Sequence, residues 1–186
     1  IPEWCRVDRV ARDIPAPDIA AGSKVSNVRQ ILEKRMKISG DFCRDIRARE
    51  VMGFEVKPEN IELVVRRYQS GDGEELFLAY EDVVADKLIA LLRLRFPGRI
   101  FIDELKGAAL IREVHVYGKQ IAVGNHVGDQ KQHVGWGSRL MMDAEKLASE
   151  AGFKKMAVIA GIGTREYYRK KGYELDGTYM VKGLTN

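Results

Sequence analysis

The pattern of apolar and polar positions changes character near residue 61. From there to residue 117 it follows the two-residue period of half-buried strands. Leu63-Val64-Val65 is followed by the turn signal Gly71-Asp72-Gly73 and then by Leu76-Phe77-Leu78-Ala79-Tyr80. Between Lys87 and Phe96, Leu92, Leu94 and Phe96 alternate with Arg93 and Arg95, and Pro97-Gly98 ends the run. In the run from Leu110 to Tyr117, Val114 and Val116 share one face while Glu113, His115 and Tyr117 share the other. Four successive strands with short connections predict a largely antiparallel sheet.

The period then lengthens. Leu140, Met141, Ala144, Leu147, Ala148 and Ala151 fall on one face of a helix, and Gly152 stands where a terminating glycine belongs. Met156-Ala157-Val158-Ile159-Ala160 reads as a short buried strand, so residues 110–160 predict a strand–loop–helix–strand crossover between parallel strands. A short helix from Arg165 to Lys171 follows, with Thr164 as its cap and Gly172 as its stop, and a hairpin turns at Asp176-Gly177 into residues 179–183.

The first sixty residues differ. Arg6, Arg9 and Arg12 recur every third position, and Ile14-Pro15-Ala16-Pro17 ends any regular element. Residues 28–49 hold seven basic and three acidic side chains, and Val28, Ile31, Leu32 and Met36 form an apolar helical face capped by Ser26 or Asn27. Such a stretch reads either as a solvated amphipathic helix packed on a neighbour or as a surface that meets phosphates; charge alone does not separate the two.

Composition narrows the field. Among 186 residues, 45% are hydrophobic and 31% charged, a globular rather than disordered balance. No apolar run approaches the roughly 20 residues of a membrane helix, so no membrane partner is expected. Lys plus Arg outnumbers Asp plus Glu by 31 to 27, a mild excess that permits a polyanionic partner without requiring one. The two cysteines, Cys5 and Cys43, cannot staple a secreted fold or by themselves build an iron–sulfur or all-cysteine zinc site. His115, His126 and His133 lack metal-ligand spacing, and no metal is expected. The opening Ile1-Pro2-Glu3-Trp4 carries neither a basic-then-apolar leader nor an initiator Met. The expectation is a cytoplasmic chain cut from a longer one.

Chemistry concentrates in Gln132-His133-Val134-Gly135-Trp136-Gly137-Ser138, between a strand and a helix start. Glycines there let the backbone approach a ligand, and aligned N–H groups with the helix dipole can cradle a pyrophosphate. A Walker loop is absent, and Leu140 stands where a dinucleotide fingerprint needs its third glycine. What remains is Gln-x-x-Gly-x-Gly, which serves either tight strand–helix packing or a phosphate. It resembles the coenzyme-binding motif of the GNAT superfamily of N-acetyltransferases, and with the surrounding strands the resemblance covers residues 61–186. It implies an α/β (α+β) GNAT fold: a mixed, mostly antiparallel sheet with a strand–helix–strand coenzyme A crossover, preceded by a helical linker over residues 1–60. Tyr167 and Tyr168 are candidates to protonate a leaving thiolate, with Tyr168 chosen by resemblance. An adjacent pair also reads as one core ring and one surface ring, and both readings can hold together.

Longer strings carry a narrower likeness. Glu113-Val114-His115-Val116-Tyr117-Gly118, Gly163-Thr164-Arg165-Glu166-Tyr167-Tyr168-Arg169-Lys170-Lys171-Gly172-Tyr173, Tyr179-Met180-Val181-Lys182 and Arg6-Val7-Asp8-Arg9-Val10-Ala11-Arg12-Asp13-Ile14-Pro15 resemble the catalytic subunit of Elongator, a family that modifies wobble uridines of tRNA. The resemblance implies acetyl-CoA-dependent formation of 5-carboxymethyluridine, with S-adenosylmethionine and a [4Fe-4S] cluster on a radical domain outside this chain. It implies acetyl-CoA contacts at Glu113, Val114, His115, Val116, Gln132, Gly135, Trp136, Gly137, Ser138 and Tyr168. It also implies a tRNA face for the anticodon arm at Arg6, Arg9, Arg12, Arg29, Lys34, Arg35, Arg44, Arg47 and Arg49. Protein partners it admits are other Elongator-type subunits or a second copy. Family members often bind zinc through cysteines near residues 43–50, but Cys43 stands alone, so no structural zinc is expected. The competing reading on the same fold is a protein lysine N-acetyltransferase, for which Glu113 is the nearest carboxylate to act as base.

Overall fold

A computed structural model describes residues 1–8, 10, 14–25, 28–117 and 135–185. They fall into two compact units, Ile1–Glu50 and Val51–Asn186. The described residues include no helix long and apolar enough to cross a membrane.

The first unit carries helix α1 (Val28–Ser39) and helix α2 (Ile46–Arg49). The amphipathic stretch is therefore not one helix. Gly40 takes φ = 77°, which a residue with a side chain adopts at a cost, and the chain leaves the helical path there. The expected cap at Ser26 or Asn27 lies outside the described residues. Asp45 organises the unit. Its buried carboxylate accepts from the Val7 amide at 3.0 Å, the Cys43 thiol at 3.1 Å and the Arg29 guanidinium at 3.1 Å. It also caps α2 through the Ala48 amide.

The second unit is a seven-stranded sheet in the order β1-β2-β3-β4-β5-β7-β6. Strands β1 (Ile61–Ser70), β2 (Gly73–Asp82), β3 (Lys87–Phe96) and β4 (Ala108–Val116) run antiparallel, as the alternation predicts. Helix α3 (Trp136–Glu150) crosses to β5 (Lys155–Ile159), which pairs parallel with β4. Helix α4 (Arg165–Arg169) leads into β6 (Glu174–Asp176) and β7 (Tyr179–Gly183), and β7 inserts between β5 and β6.

Leu140, Met141, Ala144 and Ala148 are the buried stripe of α3, which lies on β2, β3 and β4. Beneath it Leu76, Leu78, Leu92, Leu94 and Ile111 are fully buried, each contributing roughly 1.5–3 kcal/mol of apolar burial. Gly152 (φ = 89°) closes α3: its amide bonds Ser149 O, and the Phe153 amide reaches back to Ala148 O. That turn sets the Phe153 ring 4.8 Å from Phe96. Gly172 ends the α4 turn in the same way and places Tyr173 behind Tyr168.

Candidate functional site

The site begins where two parallel strands part. The β4–β5 ladder runs only from Ala108↔Lys155 to Ile111↔Val158, although β4 continues to Val116. The cause lies on the other edge of β4. Arg93 faces Glu113 and Leu94 faces Ile111, so Arg112 is an extra residue in β4, and such a bulge bends its strand. Arg112 donates to Glu75 at 2.6 Å, and Arg95 donates to the same buried carboxylate at 3.2 Å. Past the bulge, no strand among the described residues pairs with this edge of β4 from residue 113 to 116, and β4 forms a fork with β5.

Side chains sort by face along this edge. Val114 and Val116 turn toward the start of α3: a methyl group placed on Gly137 would stand 3.9 Å from Val114 Cγ1 and 3.6 Å from Val116 Cγ2. On the opposite face Glu113 accepts from Arg93 Nε at 2.8 Å, and the exposed His115 ring lies 4.4 Å from that of Tyr117. Glu113 is thus already held by a guanidinium.

Helix α3 opens at Gly135 (φ = 114°), which has no side chain to cap it, and no side chain among the described residues does so. The amides of Trp136, Gly137 and Ser138 have no acceptor inside the helix and carry the partial positive charge of its N-terminus. Among the described residues, nothing lies within 4 Å of where a Cβ on Gly135 would be. The Trp136 side chain belongs to the core, 7% exposed, 4.6 Å from the Tyr80 ring and with the Arg139 guanidinium 4.7 Å above it. Only its backbone faces the helix start. Gln132 lies outside the described residues, with His126 and His133.

Helix α4 brings both tyrosines to this place. The Tyr167 hydroxyl lies 3.3 Å from where a Cβ on Gly137 would stand. The Tyr168 ring meets Tyr167 edge-on at 5.2 Å and Tyr173 at 5.9 Å. Its hydroxyl makes no hydrogen bond among the described residues. Burial pushes both phenols above their ordinary pKa of 10, so each keeps its proton at neutral pH.

Three charged groups surround this pair without having been expected from the sequence. Lys171 Nζ donates to Ser138 Oγ at 2.6 Å and sits 4.6 Å over the Tyr167 ring. Glu145 of α3 accepts from the Tyr173 hydroxyl and from Lys182 Nζ, both at 2.7 Å. Burial lowers the Lys171 pKa, Glu145 acts to raise it, and Lys182 lowers it further. Lys171 follows Tyr167 by four residues, so helical spacing was the signal available for it.

The basic residues of the first unit divide by partner. Arg6 pairs with Asp8 and Glu50, Arg29 with Glu33 and Asp45, and Arg44 with Glu3. Arg47 donates to Asp8 O at 2.9 Å, and Arg49 is buried. Lys34 and Arg35 are exposed on α1 and enter no ion pair among the described residues. Arg9 and Arg12 lie outside the described residues.

An antiparallel run of four strands, a bulged fourth strand that parts from a parallel fifth, and a helix starting at the fork together define a GNAT-type N-acetyltransferase fold. No protein-family model matches the chain. Elongator complex protein 3 does: the Danio rerio protein is 48% identical over 191 residues, covering 99% of this chain. The Homo sapiens protein is 47% identical and the Saccharomyces cerevisiae protein 42%, each again over 99% of the chain. The chain spans 35% of the length of each of these curated relatives. Among solved structures, the archaeal Methanocaldococcus infernus Elp3 with an N-terminal deletion superposes with a TM-score of 0.87 at 44% identity, over 99% of this chain and 45% of that one. The chain is a homologue of Elongator complex protein 3 over the segment these alignments cover.

Proposed function

We propose that the Val51–Asn186 unit binds acetyl-CoA in the fork and cleaves its thioester, within an enzyme that forms 5-carboxymethyluridine at the wobble position of tRNA. The observation that carries this reading is the coincidence of three features. Among the described residues, the β4 edge has no strand partner from residue 113 to 116, the start of α3 has no side-chain cap, and two protonated phenols stand beside both. The residues present fit the coenzyme. The free edge offers backbone groups to an extended amide-bearing arm, as in strand addition. The Gly135 backbone, clear of the other described residues, and the amides of residues 136–138 suit a pyrophosphate.

Acetyl-CoA supplies an activated two-carbon unit: a nucleophile, water in the isolated chain, would bond to its carbonyl carbon as the carbon–sulfur bond breaks and the electron pair leaves on sulfur as a thiolate. Tyr168 is assigned as the group that donates a proton there, because its hydroxyl has no partner among the described residues; Tyr167 is the second candidate. Val114 and Val116 provide an apolar wall that excludes water from one side of the fork. The radical chemistry of the wider reaction calls for S-adenosylmethionine and a [4Fe-4S] cluster, and the cysteines here, Cys5 and Cys43, do not supply a cluster's thiolates. No step is assigned to them in this chain. The anticodon-arm surface is assigned to the first unit, where Lys34 and Arg35, exposed and without an ion pair among the described residues, are the candidates to meet phosphates.

A lysine N-acetyltransferase would need a free base beside the incoming amine, and Glu113 is held by Arg93 at 2.8 Å. Incubation with acetyl-labelled acetyl-CoA, with tRNA or with basic peptides, decides between the two. Thioester cleavage stimulated by tRNA is expected; transfer of label to peptide lysine, indifferent to tRNA, would overturn the proposal.

A further inference from the structure

Two neighbouring residues of β4 point the same way. Arg112 donates to Glu75 Oε1 at 2.6 Å, and Glu113 accepts from Arg93 Nε at 2.8 Å. Glu75 stands opposite Arg95 in the β2–β3 register, and Arg93 and Arg95 share one face of β3, so both contacts lie on the side of the sheet away from α3. Consecutive strand residues share a face only across a bulge. Beyond it Val114 pairs with Leu92 and Val116 with Ala90, which turns both valines toward Gly137. Without the extra residue Arg112 would stand opposite Arg93, a like charge, and both valines would turn to the other face.

We propose that Glu75, acting through Arg112, is a positioning residue for the coenzyme: it locks the bulge and so presents the edge at residues 113–116 to the incoming amide-bearing arm. The inference rests on the acetyl-CoA reading for its effect on affinity, while the lock itself needs no ligand. Glu75 is 1% exposed, and a carboxylate buried that deeply is costly unless cations stay on it. Arg95 reaches Oε1 at 3.2 Å but divides its guanidinium among Glu75, Ser70 O and Asp72. The other oxygen, Oε2, is buried without a hydrogen-bond partner among the described residues. Arg112 makes the shorter contact, and among the described residues it pairs with no other carboxylate. Satisfying Glu75 therefore requires residue 112 on its face, and with Glu113 held on the same face by Arg93 the bulge follows.

The lock is separate from the proton donors. Tyr167 reaches Gly137 on the α3 side, where Val114 and Val116 also lie, and Tyr168 stacks beside it. Glu75, Arg95 and Arg112 meet on the opposite side. Loosening the bulge thus changes how the arm is held and not how the thiolate is protonated. Affinity should suffer while the chemical step is spared. In Arg112→Met, Glu75 keeps only the cation it shares with Asp72, and residues 112–116 become free to exchange between pairings.

The test uses the 186-residue chain, with coenzyme A binding read by isothermal titration and acetyl-CoA cleavage by thiol release. Arg112→Met should raise the Kd for coenzyme A and the KM for acetyl-CoA roughly ten-fold and leave kcat within about two-fold. Arg112→Lys should recover most of the affinity, because a single N–H···O contact is one that an ammonium can also make. Glu75→Gln should weaken binding similarly, and in the double variant the two losses should not multiply, since both remove the same contact. An unchanged Kd in Arg112→Met overturns the proposal. So do losses that multiply, a loss that Arg112→Lys fails to recover, or a kcat that falls with the affinity. Without ligand, 15N relaxation dispersion over residues 112–116 should be flat in the wild type and show exchange in Arg112→Met, and flat profiles in both overturn the lock. Exchange in Arg112→Met beside a wild-type chain that does not bind coenzyme A would instead sink the acetyl-CoA reading, and the positioning role with it, while the lock stands.

Discussion

At Tyr168 a single oxygen atom separates two roles. Tyr168→Phe keeps the ring that packs on Tyr167 and Tyr173 and removes only the unpartnered hydroxyl, so coenzyme binding should persist. Thioester cleavage should fall by roughly a hundred-fold or more, as expected when a general acid is lost. Isothermal titration with coenzyme A beside a thiol-release assay checks both halves. A different carboxyl governs the first unit. Burial alone would raise the Asp45 pKa, but the Val7 amide, the Cys43 thiol and Arg29 together hold it below its ordinary 3.8. A depressed folded pKa stabilises above the unfolded value, and that stability is lost as pH falls through the folded one. Asp45→Asn should therefore cost about 2–3 kcal/mol at neutral pH and flatten the acid limb of the stability curve below about pH 4, read by urea melts.

Elements here are fixed by close approaches as much as by periodicity. A Cβ on Gly98, just past β3, would stand 2.1 Å from Asp72 O in the β1–β2 turn, and backbone cannot yield as a flexible side chain would. Gly98→Ala should cost roughly 1–3 kcal/mol. Gly163→Ala, with nothing within 4 Å of its Cβ, should be near neutral, and thermal melts of the pair separate the two cases. The strands themselves were legible from the alternation of residues such as Leu92 and Arg93. So was α3, because its apolar stripe from Leu140 to Ala151 repeats over about three turns and Gly152 follows. The split of the basic stretch at Gly40 was not, since Val28 to Met36 keeps a helical face right up to it. Nor was the placement of β7 beside β5: a hairpin at Asp176-Gly177 can dock by either strand, and local pattern does not choose. The glycines of the site were readable because their spacing is local. Arg93 on Glu113 and Lys171 on Ser138 were not, because residues 20 and 33 positions apart meet only through the sheet and helix packing.

For the whole molecule, the charge excess becomes meaningful only after pairing is removed from it. Arg29 pairs with a carboxylate that holds the first unit together, and Lys34 and Arg35 do not. Replacing Lys34 and Arg35 together by Ala should weaken tRNA binding and lower the slope of log affinity against log salt by about one to two, with the melt unchanged. Arg29→Ala should instead destabilise the first unit before any effect on tRNA can be read. Filter binding across a salt series, beside circular dichroism, distinguishes a contact surface from a structural one.

The bulge at Arg112 has a consequence for solvent exchange. A strand in the interior of a sheet normally shields its amides on both edges, yet among the described residues β4 beyond Ile111 has a strand neighbour on one edge only. Its outward amides from residue 113 to 116 should exchange with deuterium far faster than those of Leu92 or Leu94 in β3, each flanked on both sides. Adding coenzyme A should slow that short segment selectively. The sheet would then report its missing strand in deuterium uptake, residue by residue.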